Sequence, residues 1–209
     1  RAMSVTRPQW FKGTNSALLI SFFVHLDEKK CEDGEFYSHQ WTVLPSLLSR
    51  MGWRTNWLHH YIKSPRLTMS KCQIWLNAVN NNEGSWGLHS LILSFFKISI
   101  GIKAINSWWI LRANIKGLGD VSSLFRVGSS PVNLWPLLRS DWESSTAGKR
   151  LGFNSVISAL FDQAMFEIPR QTAGFYLYEN QGWEVAMLAA WRRNGHGKII
   201  AIQHATSPF

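Results

Sequence analysis

The sequence predicts an α/β domain with a mostly parallel sheet. Residues 17–24 are a nearly continuous apolar run, which is typical of a central strand covered on both faces. Residues 17–62 have the pattern strand, helix, strand, and residues 174–202 show the same order with short connections. Such units form right-handed parallel crossovers. The length of 209 residues and the hydrophobic content of 45% suit one large domain, in which we place residues 1–209.

The first predicted crossover runs from the apolar strand through one helix to a second strand over residues 54–62. The strand ends in polar residues that include Asp27. The helix is predicted over residues 38–51, where apolar residues recur at helical spacing: Trp41, Leu44, Leu48 and Met51. Gly52 is a natural helix stop, whereas Pro45 is unusual inside a helix.

Residues 66–116 are predicted to be a helical insertion within the domain. Residues 88–115 are apolar with scattered cations. The longest uncharged stretch within residues 66–116, residues 84–96, is too short to span a bilayer. We expect one long helix or two. Two interpretations stay open: these helices pack into the core, or they lie on a membrane surface.

Residues 117–135 are rich in Gly and Ser and predict a loop with a short strand at 124–127. A short helix is predicted at 135–142. Residues 154–168 predict an amphipathic helix that Asn154 caps and Pro169 ends.

The last segment predicts a compact βαβ unit. Its elements are a strand at 174–178, a polar turn at 179–182, a helix and a strand at 198–202. Trp183 and Trp191 lie on one face of that helix at the spacing of core residues, and Asn194-Gly195 closes it.

The formal net charge of +9 favours anionic partners such as phosphates or an anionic membrane face, although it also serves solubility alone. Dense Lys/Arg runs are absent, so nucleic acid is not an expected partner. Two cysteines, Cys31 and Cys72, lie in no C-x-x-C pair, and residues 1–16 do not resemble a signal peptide. These features predict a cytoplasmic protein. The strand-like run just before Phe209 predicts that the natural chain continues.

Several catalytic signatures are missing from the sequence. It contains no G-x-x-x-x-G-K-[ST] phosphate loop, no G-x-G-x-x-G dinucleotide fingerprint and no G-x-S-x-G elbow. It also lacks a D-x-D metal motif, and we expect no metal site and no cofactor in this domain.

Polar residues at three strand ends predict the functional site, because ligands of open parallel sheets bind beyond the carboxyl ends of the strands. The three groups are His25 and Asp27; Glu179, Asn180 and Gln181; and Gln203, His204 and Thr206. If these strands are neighbours, the groups line one crevice. His59 and His60 are consecutive in a strand, so they point to opposite faces and cannot form one metal pair.

Glu179 is the strongest candidate for chemistry, as a general base at a strand end. Its structural alternative is to cap the following helix. Asn180 and Gln181 can hydrogen-bond hydroxyl groups of a sugar, or they serve only the turn. His204 is predicted to move a proton or bind phosphate, unless it is structural.

Six short segments carry a pattern beyond secondary structure. They are Y-E-N-Q-G-W-E at 178–184, A-W-R at 190–192, G-H-G-K at 195–198, Q-H-A-T at 203–206, N-W-L-H at 56–59 and N-L-W-P-L-L-R-S-D-W at 133–142. Together they resemble a family of bacterial surface-carbohydrate biosynthesis proteins found among O-antigen and capsule assembly functions. Residues 64–130 match this pattern weakly.

The resemblance implies a Rossmann-like three-layer domain, the N-terminal, acceptor-side half of a two-domain GT-B glycosyltransferase. A nucleotide sugar would bind in the C-terminal domain, which is absent from this chain. The cleft would be lined by Glu179, Asn180, Gln181, Gln203 and His204. The acceptor, a glycan or lipid-linked glycan at the inner leaflet, would meet Asp27, Glu35 and Phe36.

Three functions compete at this point. The first is glycosyl transfer to a growing surface polysaccharide, with Glu179 and His204 as catalytic residues. The second is a binding module that docks lipid-linked glycan or the assembly machinery at the inner membrane without chemistry. The third, a nucleotide-using α/β enzyme of another class, is disfavoured by the missing phosphate-binding loops.

Overall fold

Five parallel strands form one sheet in the computed structural model, which describes residues 8–22, 27–61, 67–82, 87–179 and 181–203. The strands are β1 Ser16–Phe22, β2 Arg54–His60, β3 Gly87–Leu91, β4 Ala173–Tyr178 and β5 Lys198–Gln203. Their order across the sheet is β3-β2-β1-β4-β5, and each neighbouring pair is parallel. The predicted parallel α/β class is confirmed.

Seven helices accompany the strands within the described residues. They are α1 Glu28–Glu32, α2 Leu44–Arg50, α3 Met69–Asn80, α4 Ile98–Gly117, α5 Trp135–Thr146, α6 Lys149–Glu167 and α7 Gly182–Arg193. Two short 3-10 turns cover Ile92–Phe95 and Ser122–Phe125.

Helices cover both faces of the sheet, which gives the three layers of a Rossmann-like fold. On one face, Trp41 and Leu48 of the segment around α2 pack against Leu19 and Trp57. On the other, Trp191 of α7 lies against β4 so closely that a Cβ added at Gly174 would come within 2.6 Å of its ring. A glycine is therefore required at position 174.

The strand order places a topological switch point between β1 and β4. The chain winds from β1 outward to β2 and β3, and then returns to the other side of β1 for β4 and β5. Ligands of open α/β sheets bind at the carboxyl ends of the two strands where the winding reverses. The residues that follow β1 and β4 therefore occupy the expected position for a site.

Polar side chains tie the amino-terminal segment to the sheet. Buried Asn56 of β2 exchanges hydrogen bonds with the backbone of Phe11, accepting from its N at 3.0 Å and donating to its O at 2.9 Å. Asn56 also donates to Gln171 Oε1 at 2.8 Å. At the open edge of the sheet, the Asn80 side chain pairs with both backbone groups of His89 in β3. The Asn80 side chain thus gives hydrogen-bond partners to backbone groups of His89 at the edge of the sheet.

The predicted βαβ unit at the end of the chain is confirmed in β4, α7 and β5, and Trp183 and Trp191 are buried as expected. The predicted strands at 17–24 and 54–62 are also confirmed as β1 and β2, although β2 ends at His60. Residues 23, 24 and 62 lie outside the described part of the chain.

The helix predicted over 38–51 is wrong in its first half, because α2 begins only at Leu44. Pro45 has no N–H to donate to an upstream carbonyl, so it fits only the first turn of a helix. Just before it, Thr42 has a left-handed φ of 40°. Trp41 is held instead by its indole, whose Nε1 donates to Ser21 Oγ at 2.8 Å.

Residues 66–116 are not purely helical, since they contain α3, the sheet strand β3 and α4. The short strand predicted at 124–127 is also wrong: residues 122–125 form a 3-10 turn, followed by a single bridge between Arg126 and Asn133. Asn154 does not cap a helix, because α6 already begins at Lys149.

Residues 97–160 form a second compact unit, which contains α4, α5 and the first turns of α6. Phe125, Trp135 and Trp142 form an aromatic cluster within it. The interpretation of α4 as a buried core helix is wrong, because it buries only Ile100 and Ala104. No helix in the described ranges has the length and apolar composition needed to cross a bilayer.

Candidate functional site

The carboxyl edge of the sheet brings together the strand ends that the sequence singled out. β1, β4 and β5 are consecutive and parallel, so the residues after them share one edge. Of the predicted site residues, the structure places Asp27, Glu179, Gln181 and Gln203 at this edge. The predicted residues His25, Asn180, His204 and Thr206 lie outside the described residues.

Asp27 is engaged by local structure. Its Oδ1 accepts from the backbone N of Lys30 at 3.1 Å and thereby caps α1. Its own backbone N donates to Tyr37 O at 3.0 Å. These bonds fix the carboxylate at the edge and leave it partly exposed.

The turn between β4 and α7 is organised by Glu184, a residue that sequence reasoning did not single out. Glu184 is buried, and its Oε1 accepts from the backbone N of Glu179 at 2.9 Å and of Gln181 at 3.0 Å. The three-residue spacing from Gln181 to Glu184 is that of a capping box, which was the signal for this role.

Glu184 thus performs the capping that was the structural alternative for Glu179. The carboxylate of Glu179 is half-buried and makes no hydrogen bond or ion pair with the residues that the structure describes. Gln181 and Gln203 are exposed beside it. The edge therefore carries the partly exposed side chains of Asp27 and Glu179 and the exposed residues Gln181 and Gln203.

A cavity of about 530 Å³ lies over the opposite half of the sheet, against β2 and β3. Its floor consists of buried residues: Thr55, Trp57, Gly87 and His89. Its rim comes from the segment after α1, from α2 and from the end of α3: Glu35, Phe36, Ser46, Ser49, Arg50 and Asn82. Two residues predicted to meet an acceptor, Glu35 and Phe36, therefore line this cavity.

Trp57 and His89 of the cavity floor belong to an aromatic layer that continues to His59 beside the cavity. The rings of Trp57, His59 and His89 are nearly parallel, with interplanar angles of 10°, 13° and 7°. His59 Nε2 lies 3.1 Å from His89 Nδ1, and Trp57 Nε1 donates to Thr55 Oγ1 at 3.0 Å. The ring of Phe36 covers this layer, 4.1 Å from the centroid of His89.

Both histidines of this aromatic layer, His59 and His89, are neutral at physiological pH. Burial, and to a smaller extent the neighbouring His60, lowers the pKa of His59 to about 3. Burial and His59 lower the pKa of His89 well below its ordinary value. A neutral imidazole keeps one donor and one acceptor, so the pair can share a single hydrogen bond without charge.

Gly87 lets the polar atoms of the floor approach one another. A Cβ at this position would lie 2.9 Å from His89 Nε2, 3.0 Å from Trp57 Nε1 and 3.1 Å from Thr55 Oγ1. Contacts this short require the floor to move. The absence of a side chain at Gly87 thus keeps the cavity open above β3.

The cavity and the strand edge are separate. Leu19 of β1 pairs with Trp57 of β2 on one side and with Phe175 of β4 on the other. Glu179 lies four residues beyond Phe175 along the chain. Strand spacings then place Glu179 on the order of 15 Å from the cavity floor. This distance is too long for one sugar ring to touch both places.

His60 points away from His59, as the alternation of strand side chains predicted. Its ring packs among Phe22, Phe161 and Trp183 on the other face of the sheet. Burial lowers the pKa of His60 to about 4. Its Nε2 has no hydrogen-bond partner within the described part of the chain. In those same ranges, no group of three His, Cys, Asp or Glu side chains is arranged to hold a metal ion.

One of the G-H-G-K residues is structural. His196 Nε2 lies 2.9 Å from Met165 O, and its Nδ1 accepts from Gln171 N at 3.2 Å. A Cβ at Gly197 would lie 2.0 Å from Thr172 O, so the backbone approach there requires glycine. This segment fixes the start of β5 and does not contribute to the site.

Comparisons with protein-family models, with curated proteins and with solved structures find no match for this chain.

Proposed function

We propose that this chain is the acceptor-side domain of a GT-B-like glycosyltransferase that assembles a bacterial surface polysaccharide, such as an O-antigen or a capsule. The observation that carries the proposal is the cavity over β2 and β3. It combines an aromatic ring with charged and neutral hydrogen-bonding groups around one opening.

This combination suits a sugar. A pyranose has hydroxyl groups that both donate and accept hydrogen bonds, and it has an apolar face of C–H groups that packs on aromatic rings. At the cavity, Glu35 supplies an acceptor, Arg50 supplies donors and Phe36 supplies the ring. The volume of about 530 Å³ lies in the range of small-molecule sites.

The strand edge supplies the chemistry in this proposal. The half-buried carboxylate of Glu179 has no competing partner among the described residues, so it is free to accept a proton from an acceptor hydroxyl. The resemblance assigns Asn180, Gln181, Gln203 and His204 to the same cleft, and Thr206 follows them at the predicted end of the last strand. A nucleotide sugar would be brought to this edge by a second domain.

The distance between the cavity and the strand edge sets the length of acceptor that this domain would use. A lipid-linked glycan of several sugar units can occupy the cavity with one unit while its growing end reaches Glu179. The cavity then contributes binding and register, and the edge contributes the reactive group. Substitutions at the two places are therefore expected to affect different kinetic constants.

A glycosyl-transfer assay tests this division between binding at the cavity and chemistry at the edge. It uses the two-domain protein that the resemblance implies, with radiolabelled nucleotide sugars and lipid-linked oligosaccharide. Glu179→Gln is expected to lower kcat by at least about a hundredfold, since it removes the general base. Phe36→Ala is expected to raise the KM for the acceptor about tenfold and to leave kcat nearly unchanged. Phe166→Ala, at a ring that is 75% exposed on α6, is the matched control.

The proposal fails if Glu179→Gln transfers sugar at the full rate. If the Glu179→Gln variant keeps full transfer and also binds lipid-linked glycan as the wild-type protein does, this domain is a docking module without chemistry.

A further inference from the structure

The outward face of α4 is apolar and open to solvent. Ile98, Ile102, Ile105 and Trp109 recur at the spacing i, i+4, i+7 and i+11, which places them in one row along the helix. They are 82%, 57%, 58% and 60% exposed. Since a row of large exposed apolar side chains is unfavourable in water, this face is suited to contact another apolar phase.

The charged side chains of α4 all have one sign. Residues 84–119 contain no Asp or Glu, while Lys103, Arg112 and Lys116 belong to α4. Arg112 and Lys116 continue the apolar row at its carboxyl end, and the guanidinium of Arg112 lies 5.1 Å from the centroid of the Trp108 ring. A face of this composition complements a surface that is apolar below and anionic at its boundary.

We propose that α4 is a membrane-surface helix that lies on an anionic lipid bilayer. Its 20 residues give a length of about 30 Å along the surface. The four apolar residues enter the boundary of the acyl chains, where tryptophan is favoured, and the cations contact lipid phosphates. The opposite side of the helix keeps its contacts through Ile100 and Ala104.

The charge pattern favours lipid over a second copy of the chain. A second copy of this face would bring further cations and no carboxylate to the interface, so that like charges would repel one another. Anionic lipid headgroups remove that repulsion. This inference does not depend on the proposed glycosyl transfer, because it uses residues of α4 alone.

Co-sedimentation of the whole chain with vesicles tests the proposal. The protein is expected to bind vesicles of phosphatidylcholine mixed with phosphatidylglycerol, to bind pure phosphatidylcholine at least about tenfold more weakly, and to lose affinity as salt rises. Two double variants are expected to weaken vesicle binding at least about tenfold. One carries Ile102→Glu and Trp109→Glu, and the other carries Lys103→Glu and Lys116→Glu.

Ile74→Glu is the matched control, because Ile74 is 66% exposed on α3, a helix of the other compact unit. Circular dichroism and melting curves verify that each variant is folded. The proposal is overturned if the wild-type chain ignores anionic vesicles or if the Ile102→Glu, Trp109→Glu variant binds them equally well. It is also overturned if analytical ultracentrifugation shows a dimer that this variant dissolves, since a second copy would then cover the face.

Discussion

At the scale of single residues, the buried histidines make the stability of the fold depend on pH. His60 lies among three aromatic rings with its Nε2 unpaired within the described part of the chain, and its pKa is lowered to about 4. The unfolded chain takes up a proton near pH 6.5, whereas the folded chain does so only near pH 4. Between these values the unfolded state binds more protons, so acid destabilises the fold.

We therefore expect His60 to account for about 3 kcal/mol of stability that is present above pH 6.5 and is lost as the pH falls to 4. His60→Phe should remove this loss and reduce the slope of unfolding free energy against pH by up to one proton. Urea denaturation at a series of pH values measures the slope. His39→Phe, at an exposed histidine, is the control. Equal slopes for wild type and His60→Phe would contradict this account.

At the scale of elements, the turn between β4 and α7 separates a structural carboxylate from a free one. Glu184 accepts two backbone N–H groups in a buried position, while Glu179 contributes only its backbone to that arrangement. The two acids of one short motif thus have different roles. The motif predicted the turn, but periodicity alone did not show which acid points inward.

Glu184→Ala is expected to destabilise the chain by about 3 kcal/mol, because it leaves two backbone donors without an acceptor and opens a small void. Glu179→Ala is expected to change stability by no more than about 0.5 kcal/mol. Chemical denaturation of both variants measures the difference. A comparable loss for Glu179→Ala would show that Glu179 is a structural cap, and its role as a base would then be abandoned.

Elements with simple patterns were predictable, and those with buried polar residues were not. β1, β4, α7 and β5 show continuous apolar runs or a clear helical face. β3 contains buried His89 and Ser90, whose polarity hides the strand, and it is stabilised by partners that the sequence does not reveal. His59 and Asn80 supply those hydrogen bonds from neighbouring elements.

At the scale of the whole chain, the sequence predicted the parallel sheet and the shared edge of β1, β4 and β5. It did not predict the cavity, because the lining residues come from separate parts of the chain that only the fold brings together. Glu35, Arg50 and Asn82 belong to three such segments. The apolar sequence of α4 also left burial in the core open as an interpretation, although the structure exposes most of this helix.

The central claim is that the cavity over β2 and β3 binds a sugar. Nuclear magnetic resonance titration of the isotope-labelled chain with a panel of free hexoses, N-acetylhexosamines and disaccharides tests it most directly. At least one saccharide is expected to shift the indole N–H of Trp57 and the amides of Glu35 and Phe36. Phe36→Ala should weaken the binding of that saccharide at least about tenfold, or about 1.4 kcal/mol, while Phe166→Ala should leave its affinity unchanged. The claim is contradicted if no saccharide shifts these signals or if Phe36→Ala binds as tightly as the wild-type chain.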